Sequence, residues 1–166
     1  MEWSVQDLGA LGEFIASIVV LVTLVYLSVQ VRQGNRHAKA QTRQRMVEQA
    51  QTELYALVEN DVLADSFSKK GQLSPTEQAK LNYFLASAMR QREWEWFQYQ
   101  DGTIDRKVYE AYHGVVRIHL GSPRGRRWWD SVGKTAFDPD FVYAVDSLLQ
   151  ESEPSTYFED VGKWDD

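Results

Sequence analysis

The sequence predicts an all-α protein: one N-terminal transmembrane helix followed by a cytoplasmic bundle of about four to five helices. Two observations predict this fold class. Residues 8–31 form an apolar segment that carries no charge after Glu13. Further along, a helix-capping residue directly precedes a proline at Ser74, Ser122 and Asp138. Proline suits the first turn of a helix because the N–H that it lacks would have no partner within the helix.

Residues 8–31 are predicted to cross a membrane once. As a helix, residues 14–31 reach about 27 Å and residues 8–31 about 36 Å, long enough for a hydrocarbon layer of about 30 Å with some tilt. Two alternatives stay open, a buried core helix and a cleaved signal peptide. The first is disfavoured because core helices of small proteins rarely run this long. The second is disfavoured because the preceding flank is acidic and no small-residue cleavage site follows.

The charges on either side of the segment predict its orientation. Residues 1–7 contain Glu2 and Asp7 and no Lys or Arg. Residues 32–46 form a basic collar, and short flanks rich in Lys and Arg stay in the cytoplasm. We therefore expect the N-terminus outside and the C-terminal domain inside. Anionic headgroups lie at the level of such a collar, so lipid binding is a second predicted role. The collar contains Arg32, Arg36, Lys39, Arg43 and Arg45.

Small residues in the first half of the segment predict helix–helix packing. Gly12 and Ala16 are four residues apart, a spacing that lets two membrane helices approach closely, and Gly9 precedes them. Glu13 lies among them. It is solvated if the hydrocarbon layer begins at Phe14. If the layer begins at residue 8, Glu13 needs a partner, a water-filled cavity or a proton.

Residues 47–150 are predicted to form the helical domain, and residues 151–166 an acidic tail that docks in part through Tyr157, Phe158 and Trp164. The first domain helix covers residues 36–59, continuous with the membrane helix or kinked near Gly34, with further turns up to residue 71. Later helices are predicted at residues 74–100, 103–121, 123–133 and from 139. Residues 93–96 alternate as a strand would, but the apolar spacing of three and four residues before them favours a helix.

Composition excludes several classes of function. The chain has 166 residues and no Cys, which removes disulfides, thiolate metal sites and cysteine nucleophiles. Residues 48–166 contain 21 Asp and Glu against 13 Lys and Arg. An acidic domain of this kind repels nucleic-acid phosphates, so no nucleic-acid partner is expected. The six Trp, eight Tyr and seven Phe are enough to build a sizeable core.

Glu110 and His113 have the Glu-x-x-His spacing of helical di-iron carboxylate proteins. That chemistry needs a second copy of the pair and two more Glu residues, and the chain contains no second copy. The alternative is a surface carboxylate beside an ordinary helical histidine. We therefore predict no metal, no cofactor and no catalytic residue.

A second candidate site combines three arginines with Trp128 and Trp129. Guanidinium groups beside aromatic rings suit an anionic headgroup or the carboxylates of a partner protein. The alternative is that the tryptophans belong to the core and the arginines face water. The arginines are Arg124, Arg126 and Arg127.

These features resemble a group of short, uncharacterised bacterial membrane-anchored proteins. The resemblance lies in the apolar segment running into Ser-Val-Gln-Val-Arg-Gln33, in Gly-Ser-Pro123 and in Arg-Trp-Trp129. It implies a single-pass protein of the bacterial inner membrane. It implies no activity and no functional residues.

The predicted function is non-enzymatic. We expect a structural or accessory subunit that is anchored among membrane lipids and either forms a homo-oligomer or joins other membrane-protein subunits. One alternative is a homo-oligomeric pore or transport component lined by Glu13, Ser17 and Thr23. Another is a membrane-bound sensor or an enzyme with an unrecognised site.

Overall fold

The computed structural model describes residues 4–155 and Tyr157. All secondary structure in these residues is helical, which confirms the predicted all-α class. Six α-helices and one short 3-10 helix follow one another, and the described residues contain no strand. The α-helices are α1 (Val5–Val58), α2 (Asp61–Ser68), α3 (Pro75–Gln100), α4 (Arg106–Gly121), α5 (Pro123–Ser131) and α6 (Pro139–Gln150), and the 3-10 helix is Gly133–Thr135.

Helix α1 contains both the apolar segment and the first helix predicted for the domain. It continues through Gly34 and Asn35, the two residues where a kink was one of the expectations. A glycine inside a helix costs only about 1 kcal/mol relative to alanine. The good helix formers on both sides outweigh that cost, so the two predicted helices are one.

The chain divides into two compact units between Gln41 and Thr42. The first unit contains the apolar segment. From Phe14 to Val31 its large apolar side chains are 44–65% exposed. By length and composition this helix is able to cross a membrane. The coarse prediction of one long apolar N-terminal helix is therefore confirmed.

The second unit shows the predicted helix starts. Ser74 and Glu77 form a reciprocal capping box at the start of α3, which ties down two N–H groups that the helix leaves unpaired. The Ser122 hydroxyl accepts from the Gly125 N–H, and the Asp138 carboxylate accepts from the Asp140 N–H. Each capping side chain is followed by the proline that begins its helix, as the sequence predicted.

Helix α4 begins at Arg106, three residues later than predicted. The N–H groups of Thr103 and Ile104 both donate to the carbonyl of Gln98, at 2.9 and 3.2 Å. These residues therefore close the turn at the end of α3, and α4 begins only after Asp105, whose backbone is extended (φ −77°, ψ 151°). Gly102 in the same turn has φ +70°, a conformation that side chains other than glycine rarely adopt.

The core of the second unit is rich in aromatic rings. Trp129 is fully buried, and its ring lies 5.6 Å from Phe137 and 6.5 Å from Phe141. Its indole N–H donates to Asp146 at 2.8 Å, so the one polar atom of the ring is satisfied. Trp129 is thus a core residue, which was the alternative to its place in a recognition patch. The other large buried side chains include Met46, Leu85, Met89, Leu120, Phe141 and Val145.

Candidate functional site

Three charged side chains meet inside the second unit and form what we call the ionic cluster: Glu53, Arg92 and Glu95. The Nη2 atom of Arg92 lies 3.0 Å from a Glu53 oxygen and 3.3 Å from a Glu95 oxygen. The side chains of Arg92 and Glu95 are each only 2% exposed, and that of Glu53 is 17% exposed. Charges this deeply buried lose their hydration and persist only when they are paired.

Burial changes the protonation of the cluster. Desolvation raises the pKa of Glu95 to about 7, and Arg92 and the Gln91 side chain oppose the rise only in part. Desolvation also raises the pKa of Glu53 against the opposing effect of Arg92. Arginine stays charged in proteins. Near neutral pH, Arg92 therefore carries a full positive charge, and Glu95 is about half ionised.

Arg92 does not use all of its donors. Both contacts with the glutamates involve Nη2. The N–H groups on Nε and Nη1 are buried and have no hydrogen-bond partner within the part of the chain that the structure describes. Buried donors of this kind are nearly always paired in folded proteins, because an unpaired one costs about 1–3 kcal/mol.

A cavity of about 360 Å³ adjoins the cluster, and Arg92 and Glu53 form part of its wall. The rest of the wall is mostly apolar and comes from α1 and α4. Pockets that combine apolar walls with a few converging polar groups are the usual form of small-molecule sites. The remaining lining residues are Ala50, Leu54, Leu57, Ala111, Tyr112, Val115, Ile118, His119 and Tyr157.

His119 completes the polar side of this pocket. Its ring lies between two phenylalanines, with centroids 6.3 Å from Phe67 and 5.4 Å from Phe84. Burial, together with the nearby charge of Arg92, lowers the pKa of His119 to about 4. His119 is therefore neutral at physiological pH and adds no charge to the pocket wall.

No family model, curated protein or solved structure matches this chain. The similarity to short bacterial membrane-anchored proteins therefore stays a prediction. The chemistry of the pocket has to follow from the chain's own residues.

Among the residues that the structure describes, the weak metal candidates Glu110 and His113 do not gather further ligands. Glu110 is exposed and pairs with Arg106 at 2.7 Å. His113 is half-buried, with its ring 4.8 Å from that of Tyr109, and desolvation, followed by the charge of Arg117, lowers its pKa. Within the described residues, no group of three or more His, Asp and Glu side chains has the arrangement of a metal site.

Two of the three patch arginines bind backbone carbonyls. Arg124 donates to the carbonyls of Ser66, Lys69 and Gly71, and thereby ties α5 to the end of α2 and the turn after it. Arg126 donates to the carbonyl of Leu149 near the end of α6. The last carbonyls of a helix lack partners within the helix. Both arginines therefore have structural contacts, whether or not they also bind an anion.

Arg127 is different, because its side chain is exposed and no ion pair to it is formed within the described residues. With Arg124 and Trp128 it lines an open groove whose lining contains no Asp or Glu. The predicted binding of an anionic lipid or partner stays a prediction, and in this structure it would depend on Arg127.

Replacing Arg124 with methionine is expected to lower the free energy of unfolding by about 2 kcal/mol, because three carbonyls lose a charged donor. Arg127→Met is the matched control and should change stability by less than about 0.5 kcal/mol. Pulse proteolysis of the full chain in urea measures both. Equal small effects would mean that the Arg124 contacts do not hold α5 against α2.

Seven of the residues predicted to contact lipid or a second helix lie in the first unit. Arg32, Arg36, Gly12 and Glu13 are exposed, and Lys39 is half-buried. Gly9 and Ala16 are exposed as well. A Cβ atom added at Gly9 or Gly12 would meet nothing within 4 Å. This side of α1 is therefore open to another molecule.

The ionic cluster was missed from the sequence, although a signal was present. The buried side of α3 contains Leu81, Leu85 and Ala88 and then continues, at the same spacing of four and three residues, to Arg92 and Glu95. Side chains at this spacing share one face of a helix. Two charged residues that continue the spacing of the buried apolar residues predict a buried ion pair.

Proposed function

We propose that this chain is a non-enzymatic, membrane-anchored accessory protein that self-associates or binds other membrane subunits through its apolar segment. Residues 8–31 would cross the membrane, with the N-terminus outside and the helical domain in the cytoplasm. The observation that carries the proposal is the exposure of this segment. From Phe14 to Val31 its large apolar side chains are 44–65% exposed, so this apolar surface needs lipid or another protein.

Two sides of the segment differ in chemistry, which supports packing through one of them. Successive residues of an α-helix are rotated by about 100° around its axis. A sector about 100° wide around the axis therefore contains Gly9, Gly12, Glu13 and Ala16. Thr23 falls in the same sector. The opposite side has only large apolar residues, among them Leu11, Ile15, Ile18, Val22, Val25 and Val29. Small residues favour close helix packing in membranes, and large apolar ones suit lipid.

Two hydroxyl groups of the segment, those of Ser17 and Thr23, are paired within their own helix. Ser17 donates to the carbonyl of Glu13, and Thr23 donates to the carbonyl of Val19, each at 2.8 Å. Hydroxyls paired in this way are compatible with a dry helix interface. The proposed accessory role therefore requires no water-filled pore. A homo-oligomeric pore stays the alternative function.

The mass and composition of the particle that a mild detergent releases from native membranes test this proposal. We expect the chain in the membrane fraction, in a homo-oligomer or together with other proteins. Gly12→Ile should reduce the particle to the single chain, because the larger side chain separates the helices. Val22→Ile on the opposite side is the matched control and should change nothing. A wild-type chain released without detergent, or a single chain in detergent, would contradict the proposal.

The absence of Cys permits a direct test of orientation. Single cysteines at Ser4 and Lys70 lie on either side of the apolar segment. In intact cells, an impermeant maleimide should label Ser4→Cys and leave Lys70→Cys unlabelled until the membrane is opened. The reverse pattern would place the helical domain outside.

A further inference from the structure

The pocket beside the ionic cluster has the features of a built ligand site. Its apolar wall includes Leu54 and Leu57 from α1, and Val115 and Ile118 from α4. Its polar side includes Arg92, which is 2% exposed. The Nε and Nη1 groups of Arg92 find no acceptor among the described residues. Both groups are buried, so the guanidinium has to turn toward an acceptor that enters from the pocket. That acceptor would then remove the cost of leaving these donors unpaired.

The charges around Arg92 decide what kind of acceptor fits. Glu53 and Glu95 already face Arg92, and Glu95 is about half ionised at neutral pH because burial raises its pKa to about 7. His119, which also lines the pocket, is neutral there. A ligand carboxylate would bring a third acidic group to the one guanidinium that Glu53 and Glu95 already contact, and burying an unbalanced charge is costly. An uncharged oxygen acceptor adds no charge to the pocket.

The size of the pocket limits the rest of the ligand. A volume of about 360 Å³ holds about twelve water-sized groups at about 30 Å³ each. This is near the lower end of the range for small-molecule pockets. A single ring with a short substituent fits, and a full-length lipid does not.

We propose that this pocket binds a small, uncharged, mostly apolar molecule whose carbonyl oxygen accepts hydrogen bonds from Arg92. Its apolar body lies against the aliphatic side chains of α1 and α4. The site does not depend on the proposed membrane anchoring, since all of its residues belong to the second unit.

Three probes of nearly the same size and shape test the proposal. Acetophenone has a ring and a carbonyl, cumene has a methyl group in place of the oxygen, and benzoate has a charged carboxylate. Each is titrated into the full chain in lipid nanodiscs. The readout is the NMR signal of the Arg92 Nε–H group, identified by its loss in Arg92→Lys. Acetophenone should shift this signal in a saturable way and bind at least about tenfold more tightly than either of the others.

Two substitutions separate the pocket from non-specific uptake by the lipid. Ala111→Trp fills the pocket from an exposed position on α4 and should abolish the acetophenone shift. Ala79→Trp places the same side chain in the groove beside Arg127 and should leave the shift unchanged. Equal binding of cumene would show that Arg92 does not hold the ligand. Tighter binding of benzoate would show an anion site. Either result, or the absence of any saturable shift, would overturn the proposal.

Discussion

Gly125→Ala is expected to lower the free energy of unfolding of the helical domain by about 3 kcal/mol, the upper end of the usual cost of overpacking. A Cβ atom on Gly125 would collide with the carbonyl oxygen of His119 and would lie 2.9 Å from the Cα atom of Leu120. Both of these atoms belong to the backbone at the end of α4. Neither can move away as a flexible side chain would, so α5 would have to separate from α4.

Gly114→Ala is the control for this prediction. Gly114 lies inside α4, and a Cβ atom there would meet nothing within 4 Å. Alanine favours a helix over glycine by about 0.5–1 kcal/mol, so this substitution should stabilise the domain. Pulse proteolysis of the full chain in urea gives both values. A Gly125→Ala variant as stable as the wild type would mean that α4 and α5 do not approach as closely as described.

The second prediction concerns the pH dependence of stability, in which Glu95 and His119 act in opposite directions. The pKa of Glu95 rises from 4.5 to about 7 on folding. Stability from this residue is therefore fully present below pH 4.5 and is lost as the pH rises to about 7. The pKa of His119 falls from 6.5 to about 4. Its contribution is present above pH 6.5 and is lost as the pH falls to about 4.

The two effects are similar in size, about 3 kcal/mol each over the full range at about 1.4 kcal/mol per pKa unit. Between pH 5 and 6.5 they nearly cancel, so the wild-type domain should show a weak dependence on pH there. Glu95→Gln should remove the effect of Glu95. The free energy of unfolding of this variant should then fall on acidification, because only the effect of His119 remains. His119→Phe keeps an aromatic ring between Phe67 and Phe84 and should gain stability on acidification.

Pulse proteolysis between pH 5 and pH 8 tests this pair. The raised pKa of Glu53 and the lowered pKa of His113 act in every variant, so differences between variants isolate the two residues. Glu110→Gln makes the same chemical change at an exposed carboxylate and should reproduce the wild-type profile. If Glu95→Gln shifts stability by the same amount at every pH, Glu95 is ionised throughout and the prediction is wrong.

Most of the helices could be predicted because their signals are local. Ser74 with Glu77, and the proline after each capping residue, define where α3, α5 and α6 begin. The later start of α4 at Arg106 was missed, since it depends on the hydrogen bonds of Thr103 and Ile104 to the preceding helix. Helix α1 continues through Gly34 because the helix propensities of the neighbouring residues outweigh the small cost of one glycine.

The site was harder to predict because it joins residues that are distant in sequence. Arg92 and Glu53 are 39 residues apart and meet only when α1 packs near α3. The spacing along α3 predicts that Arg92 and Glu95 are buried, but it does not predict their partner on α1. For Arg124, the sequence shows a cation beside tryptophans. Its three acceptors, at the end of α2 and on the turn after it, become visible only in the folded chain.

The second unit does not begin where a helix begins. It starts at Thr42, inside α1, and the last turns of that helix supply Met46 to its interior and Glu53 to Arg92. A fragment cut at the loop before α2 would therefore lose part of its own core and leave the Arg92 guanidinium with Glu95 alone. The apolar segment and the helical domain are thus not interchangeable modules joined at a loop. Any recombination that gives this domain a new N-terminal segment has to join it within a helix, with residues 42–58 retained.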